Sequence, residues 1–198
     1  VCINVPSGGS LYGAGVGPTI ITSTSTTAGV VCPASGGANI LIADLSLTRS
    51  VTPTSSAHGI LTATGVTFSV TQSTIRNVHS QNSWYGFQLG PTDFSTCDRC
   101  TAEQNYSHGF YFPAYSSGSS SALQWTLTNT LSQFNGSTTA GVGAGYYVNG
   151  ANANTIVGMP WINPNSFANY SGGFAFVSTS SSNTINDIHL INATGSAD

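Results

Sequence analysis

Apolar and polar residues alternate along this chain in short runs, and each run is broken by one small polar residue. Six segments carry the pattern: "NILIADLSL" (39–47), "STIRNVHS" (73–80), "STCDRCTA" (95–102), "WTLTNTLS" (125–132), "NTIVGMPW" (154–161) and "NTINDIHL" (183–190). Aligned on the residue between the apolar pairs, they give a column of Asp44, Asn77, Arg99, Asn129, Gly158 and Asp187, spaced 33, 22, 30, 29 and 29. Asn, Asp and Gly tolerate a left-handed backbone, so the column predicts a sharp bend between two strands; Arg99 departs from the pattern. Side chains alternate along a strand. Ile40, Ile42, Ile75, Cys97, Leu127, Ile156 and Ile185 are therefore expected to point inward before the bend. Leu45, Leu47, Val78, Cys100, Ile188 and Leu190 should do so after it.

A second column lies downstream. The anchor Asn-x-x-x-Gly-aromatic occurs as "NSWYGF" (82–87), "NYSHGF" (105–110) and "NYSGGF" (169–174), with a stretched form from Asn135 to "GYY" and a weaker "AHGIL". The anchoring glycines are Gly59, Gly86, Gly109, Gly145 and Gly173, spaced 27, 23, 36 and 28. Phe87, Phe110, Phe112, Tyr146, Phe174 and Phe176 are expected to stack beside them. A unit of two short strands, a one-residue bend and a Gly-anchored strand, recurring at this interval, predicts a parallel β-solenoid. The first fifty residues fit too: "SLYGAG", "TIITS", "GVVCP" and "NILIADL" read as successive strands.

Composition agrees. Ser, Thr, Asn and Gly are abundant, strong helix formers are scarce, and the chain reads as all-β. Only 5% of residues are charged, as three Arg, no Lys, five Asp and one Glu. That excludes a nucleic-acid surface, which needs clustered cations. No apolar run is long enough for a transmembrane helix, so membrane insertion is not expected. Residues 1–198 read as one domain that opens and closes abruptly, as a fragment of a longer chain would.

At "VPSGGSLYGAGVGPTII" and "NILIADLSLTRS" the sequence resembles the pectate-lyase-like right-handed parallel β-helix superfamily. With "LGPTDFSTCDRCTAEQN" and "QWTLTNTLSQFN" it most resembles the β-helix of bacteriophage tailspike proteins. The resemblance implies a right-handed β-helix of about six to seven coils, assembled as a homotrimer in a virion tail. It implies binding of a bacterial surface polysaccharide, capsule or O-antigen, often with cleavage by hydrolysis or β-elimination. Catalytic residues vary among such proteins, so none is carried over. No cofactor is implied.

Glycoside hydrolysis needs two carboxyl groups about 5–10 Å apart. Asp44 and Asp187 stand in the bend column and read as structural, and Asp198, at the end of the sequence, reads as inert, which leaves Asp93, Asp98 and Glu103 as catalytic candidates. Asp98 is expected to face outward between Arg76 and Thr128, as a cross-strand ion pair with Arg76 or as a carboxylate on a groove. Glu103 is expected between Gln81 and Gln133, in a polar row that is either solvated or bonds sugar hydroxyls. Asp93, in "GPTDF", caps a loop or acts in catalysis. Aromatic faces stack on sugar rings, and Trp84, Tyr85, Tyr106, Tyr111 and Tyr115 cluster around the same repeats. Gln81, Gln133, Arg76 and His79 complete the binding candidates. His79 and His108 are also candidate general bases. Trp125 and Trp161 read as core.

"CDRC" (97–100) has no second Cys pair, so zinc is not expected, and both cysteines read as core. No metal-ligand set is found. Cys2 and Cys32 occupy neighbouring strands, as free thiols or a disulfide, the free pair being favoured for a chain made in cytoplasm. Asn105, Asn135, Asn169 and Asn192 begin Asn-x-Ser/Thr sequons, which a phage protein leaves bare. "LYGAGVG" lacks the Lys and the helix of a phosphate loop. Three functions remain open. One is glycan recognition on a tailspike. The second is a depolymerase, glycosidase or lyase, acting within or outside a phage. The third is a structural shaft or adhesin.

Overall fold

A computed structural model describes residues 2–62, 70–113, 121–137, 142–149, 155–156, 160–177, 185–186 and 189–197. These residues are all-β, with no helix among them. Their strands pair in parallel, each with the corresponding strand of the next repeat. The exception among described residues is an isolated antiparallel bridge between Ser137 and Val142.

One sheet runs through Ile3–Val5, Val31–Pro33, Ile60–Leu61, Phe87–Gln88, Phe110–Phe112, Ala144–Asn149 and Gly172–Val177. A second, larger sheet holds the bend segments. Its register stacks Ile42, Ile75, Cys97, Leu127, Trp161 and Leu190 in one column. Ile40, Ile42, Ile75, Cys97 and Leu127 are buried, as are Leu45, Leu47, Val78 and Cys100 beyond the bend. Leu190, expected inside, is 37% exposed, because it lies on the last strand of its column.

The bend is a left-handed residue at Asp44, Asn77, Arg99 and Asn129, with φ of 60°, 50°, 51° and 52°. The last two members of the column differ from the sequence reading. Trp161–Ile162 pairs with Leu127–Thr128, and Leu190–Ile191 with Trp161–Ile162. The bends are therefore Asn163 and Asn192, each at φ 51°. Gly158 and Asp187 lie outside the described residues, as does Ile188. Ile156 and Ile185 belong to an upstream ladder, where Thr155–Ile156 pairs with Ser121–Ala122 and with Ile185–Asn186. Two polar-flanked apolar pairs follow each other closely in "NTIVGMPWI", and either fits the repeat on sequence alone.

Two further left-handed columns exist. Asn82, Gln104, Phe134 and Ala168 form one; Asn39, Gln72 and Phe94 form the other. A Phe, Gln or Ala in this conformation costs about 1–2 kcal/mol. The stacked strands on either side hold it there.

The anchor column also resolves. Phe87, Phe110, Tyr146 and Phe174 stack with nearly parallel rings, 4.7, 4.9 and 4.9 Å apart. Trp161 packs on Phe112, Tyr146 and Phe176. Trp125 and Trp161 are buried, and their indole N–H groups donate to the carbonyls of Gly90 and Trp125. Gly59, Gly109 and Gly145 each meet a serine hydroxyl from the other sheet, whereas Gly86 faces Ala102 and the Asn105 amide. A Cβ on Gly109 would lie 2.0 Å from Ser132 Oγ, and one on Gly145 2.1 Å from Ser166 Oγ. Those hydroxyls donate to the next anchors, Ser132 to Gly145 O and Ser166 to Gly173 O. Glycine is required by this close approach.

Asn105, Asn135 and Asn169 form a buried amide ladder. The Nδ2 of Asn105 donates to Asn135 Oδ1, and that of Asn135 to Asn169 Oδ1, both at 2.9 Å. Each Oδ1 also accepts the backbone N–H one repeat back. Ser83 takes the next ladder position, its N–H donating to Asn105 Oδ1. Asn82, which the anchor motif aligned there, is instead the left-handed bend one residue earlier. Cys2 and Cys32 are joined as a disulfide rather than standing as free thiols.

Candidate functional site

The strand Thr74–Gln81 and its neighbours Thr101–Glu103 and Leu131–Gln133 present one outward row. Gln81, Glu103 and Gln133 stand in register, followed by Phe167. Gln133 Nε2 donates to Glu103 Oε1 at 2.9 Å. His79 faces out from the same strand as Gln81, with Nε2 3.1 Å from the other oxygen, Oε2. That contact is too poorly aligned for a hydrogen bond, and the nitrogen has no other partner. Glu103 is thus flanked by an amide and an imidazole, and the His79 and Glu103 side chains are each about a quarter exposed.

Each row residue is followed at once by a left-handed one: Gln81 by Asn82, Glu103 by Gln104, Gln133 by Phe134. The chain turns there, and a groove of about 410 Å³ opens beside the turn, lined by Asn82, Gln104, Tyr106, Phe134 and Ser137. Phe134 is 46% exposed and meets Phe167 edge-on at 5.6 Å. Of these residues the sequence singled out only Tyr106. Asn82, Gln104 and Phe134 share one offset from the row, which was the available signal; Gln and Phe do not advertise a left-handed bend.

The carboxylate at the first bend is placed differently from expectation. Asp98 does stack between Arg76 and Thr128. Arg76, however, donates to Asp44 Oδ2 at 2.9 Å, and Asp98 Oδ2 accepts from Arg99 Nε at 2.9 Å. The expected Arg76–Asp98 pair is replaced by two others, because the left-handed bend brings Arg99 beside Asp98 and Asp44 beside the next repeat. Asn77 Nδ2 also donates to Asp44, and with Arg76 it holds that carboxyl below its ordinary range. Asp93 lies on the strand Thr92–Asp98, in register with Thr71, rather than in a loop. Its side chain and Tyr115 lie outside the description.

The remaining aromatic candidates form a ladder on the other sheet. Tyr85 is stacked against His58 at 4.8 Å and His108 at 5.4 Å, with Tyr111 at 4.3 Å. His108 continues to Tyr147 at 4.3 Å. Both faces of the Tyr85 ring are taken, which leaves only its edge to a ligand. Trp84 is half-buried. Burial raises the Tyr85 hydroxyl to about 12 and lowers His58 and His108 to about 4. His108 Nδ1 accepts the Ala144 N–H, so its proton sits on Nε2. A buried imidazole fixed in this way is a stacking element, not an accessible base.

Cys97 and Cys100 are buried, and burial together with Cys100 pushes the Cys97 thiol well up. The thiolate is the reactive form, so Cys97 is an inert core group, and Cys100 is buried beside it. Arg49 is also buried. It donates to the carbonyls of Ser25, Ala28 and His58 and to Ser23 Oγ.

In comparisons with known protein families, curated proteins and solved structures, the chain matches none.

Proposed function

We propose that this chain is a right-handed parallel β-helix of about six to seven coils, and that it recognises a bacterial surface polysaccharide as part of a tailspike-like, homotrimeric attachment protein. Parallel pairing from repeat to repeat, with left-handed bends stacked in columns, supports the β-helix. Right-handedness follows from the general rule for parallel crossovers. Trimeric assembly and a virion location rest on the resemblance of the glycine-rich opening and the Asp/Arg-containing repeats to that family.

One observation carries the function. The row His79, Gln81, Glu103 and Gln133 ends on a groove that combines amides with the rings of Tyr106 and Phe134. Amides bond sugar hydroxyls and rings stack on sugar faces. A regular lattice spaced about 4.8 Å apart suits a repeating polymer.

The Glu103–His79 contact favours a second reading, a depolymerase with Glu103 as acid or base. Incubation with capsule and O-antigen preparations, followed by product size and ultraviolet absorbance, separates the two. Binding without shortening is the expected result. Shortening with new absorbance is a lyase, and shortening without it a hydrolase; Glu103→Gln would abolish either. Neither binding nor shortening would leave the shaft.

A further inference from the structure

We propose that the groove at Asn82, Gln104, Tyr106, Phe134 and Ser137 binds an uncharged segment of polysaccharide, built of hexoses or N-acetylhexosamines without carboxylate, phosphate or sulfate. The proposal rests on the glycan-recognition reading above and adds the site and the ligand class.

The argument is one of charge. Recognition of an anionic sugar calls for Arg or Lys, whose donors match carboxylate and phosphate. The whole chain has three Arg and no Lys. Arg49 is buried on backbone carbonyls. Arg76 is held by Asp44 and Arg99 by Asp98. Both stand at the first bend, and the strand residues 78–81 and 101–103 lie between that bend and the groove. Five residues of strand span roughly 16 Å, about two screening lengths at physiological salt.

Near the groove itself the charge is negative. Glu103 directly precedes Gln104, and its oxygens face Gln133 and His79. An anionic chain laid along the row would meet that carboxylate without a free cation to offset it. The groove's own polar groups are amides and hydroxyls, the partners of sugar hydroxyl and acetamido groups. Its apolar surface is two rings, suited to pyranose faces.

The ligand class also limits the chemistry. β-Elimination removes a proton acidified by a neighbouring uronate carboxyl, and an uncharged chain offers none. Any cleavage at this groove would therefore be hydrolysis, which requires a second carboxyl beside Glu103.

The test is binding of the full chain to an array of purified capsular and O-antigen polysaccharides, sorted into neutral repeats and repeats bearing uronate or phosphate, at low and physiological salt. The expected result is binding confined to neutral members and insensitive to salt. Tyr106→Ala should weaken it about tenfold, the size of one stacking contact. Phe134→Ser, at a half-exposed position, gives the same reading should Tyr106→Ala fail to fold. Binding to uronate or phosphate repeats that fades with salt would overturn the ligand class and leave glycan recognition standing. Neutral binding that survives both substitutions would overturn the site. Binding to no member would overturn the glycan reading and this inference with it.

Discussion

Replacing Asn135 by Ala removes the middle rung of the amide ladder. Asn135 Oδ1 accepts two bonds, from the backbone N–H and the Nδ2 of Asn105, at 3.0 and 2.9 Å. Its Nδ2 donates to Ala102 O, Ser132 Oγ and Asn169 Oδ1. Asn135 is 1% exposed. Asn105 Nδ2 keeps a second acceptor, Ser80 O, but the Asn105 N–H loses its partner outright. An orphaned buried donor costs about 1–3 kcal/mol, and the lost bonds near 1 kcal/mol each come on top. The expected loss is roughly 4–6 kcal/mol, a large share of the 5–15 kcal/mol that usually holds a domain. Asn163→Ala removes a comparable amide bond, Nδ2 to Asn129 Oδ1 at 2.8 Å, at an exposed site. It should cost about 1–2 kcal/mol, mostly the left-handed backbone. Urea unfolding of the two variants beside the parent, with m-values compared, measures both. A loss at Asn135 no larger than at Asn163 would refute the ladder as a source of stability.

Three other outcomes follow from the same structure. His58 and His108 are held near pKa 4 against about 6.5 when unfolded, so the unfolded chain binds more protons between those values. Stability should be full above pH about 6.5 and fall as pH drops toward about 4, by up to about 3 kcal/mol per imidazole; His58→Phe should remove its share, and a flat urea midpoint across that window would contradict it. Gly109→Ala places a methyl 2.0 Å from Ser132 Oγ and 2.9 Å from Gly145 O. A cost of about 1–3 kcal/mol is expected, partly relieved in the Gly109→Ala, Ser132→Ala double variant, and strict additivity in the cycle would count against the contact. Arg49→Met strips the donors from three carbonyls and should lower stability by about 2–4 kcal/mol, read as a drop in melting temperature.

The repeat was legible because stacking imposes one register on every copy. Asp44, Asn77, Arg99 and Asn129 could be read as a bend column from residue type and spacing, even with Arg99 as the odd member. The same logic slipped at Gly158 and Asp187, where a nearby apolar pair gave an equally good local match and only inter-strand pairing distinguishes Asn163 and Asn192. The Gln81–Glu103–Gln133 row follows directly from alternation. The ion pairs did not, because alternation places Arg76 beside Asp98 but says nothing of where a long side chain ends; Arg76 reaches back to the bend residue Asp44, and the bend residue Arg99 takes its neighbour Asp98. The groove was the least legible feature. It arises from left-handed Gln104 and Phe134, residue types held there by the strands around them and carrying no local signal. The burial of Tyr85 between two histidines was similarly hidden, since His58 sits in the weakest anchor.

Each asparagine of the buried ladder is also the first residue of an Asn-x-Ser triplet, and this has a consequence for biosynthesis. A eukaryotic secretory pathway attaches sugar to such triplets while the chain is still unfolded. An oligosaccharide on Asn105, Asn135 or Asn169 replaces an Nδ2 hydrogen and cannot enter a column whose members are 1% exposed. The fold is therefore compatible only with a cell that leaves these amides bare. The Cys2–Cys32 bond adds a second requirement, an oxidising setting after synthesis. Recombinant production in a host that leaves these amides bare, followed by exposure of the folded chain to an oxidising buffer, should meet both.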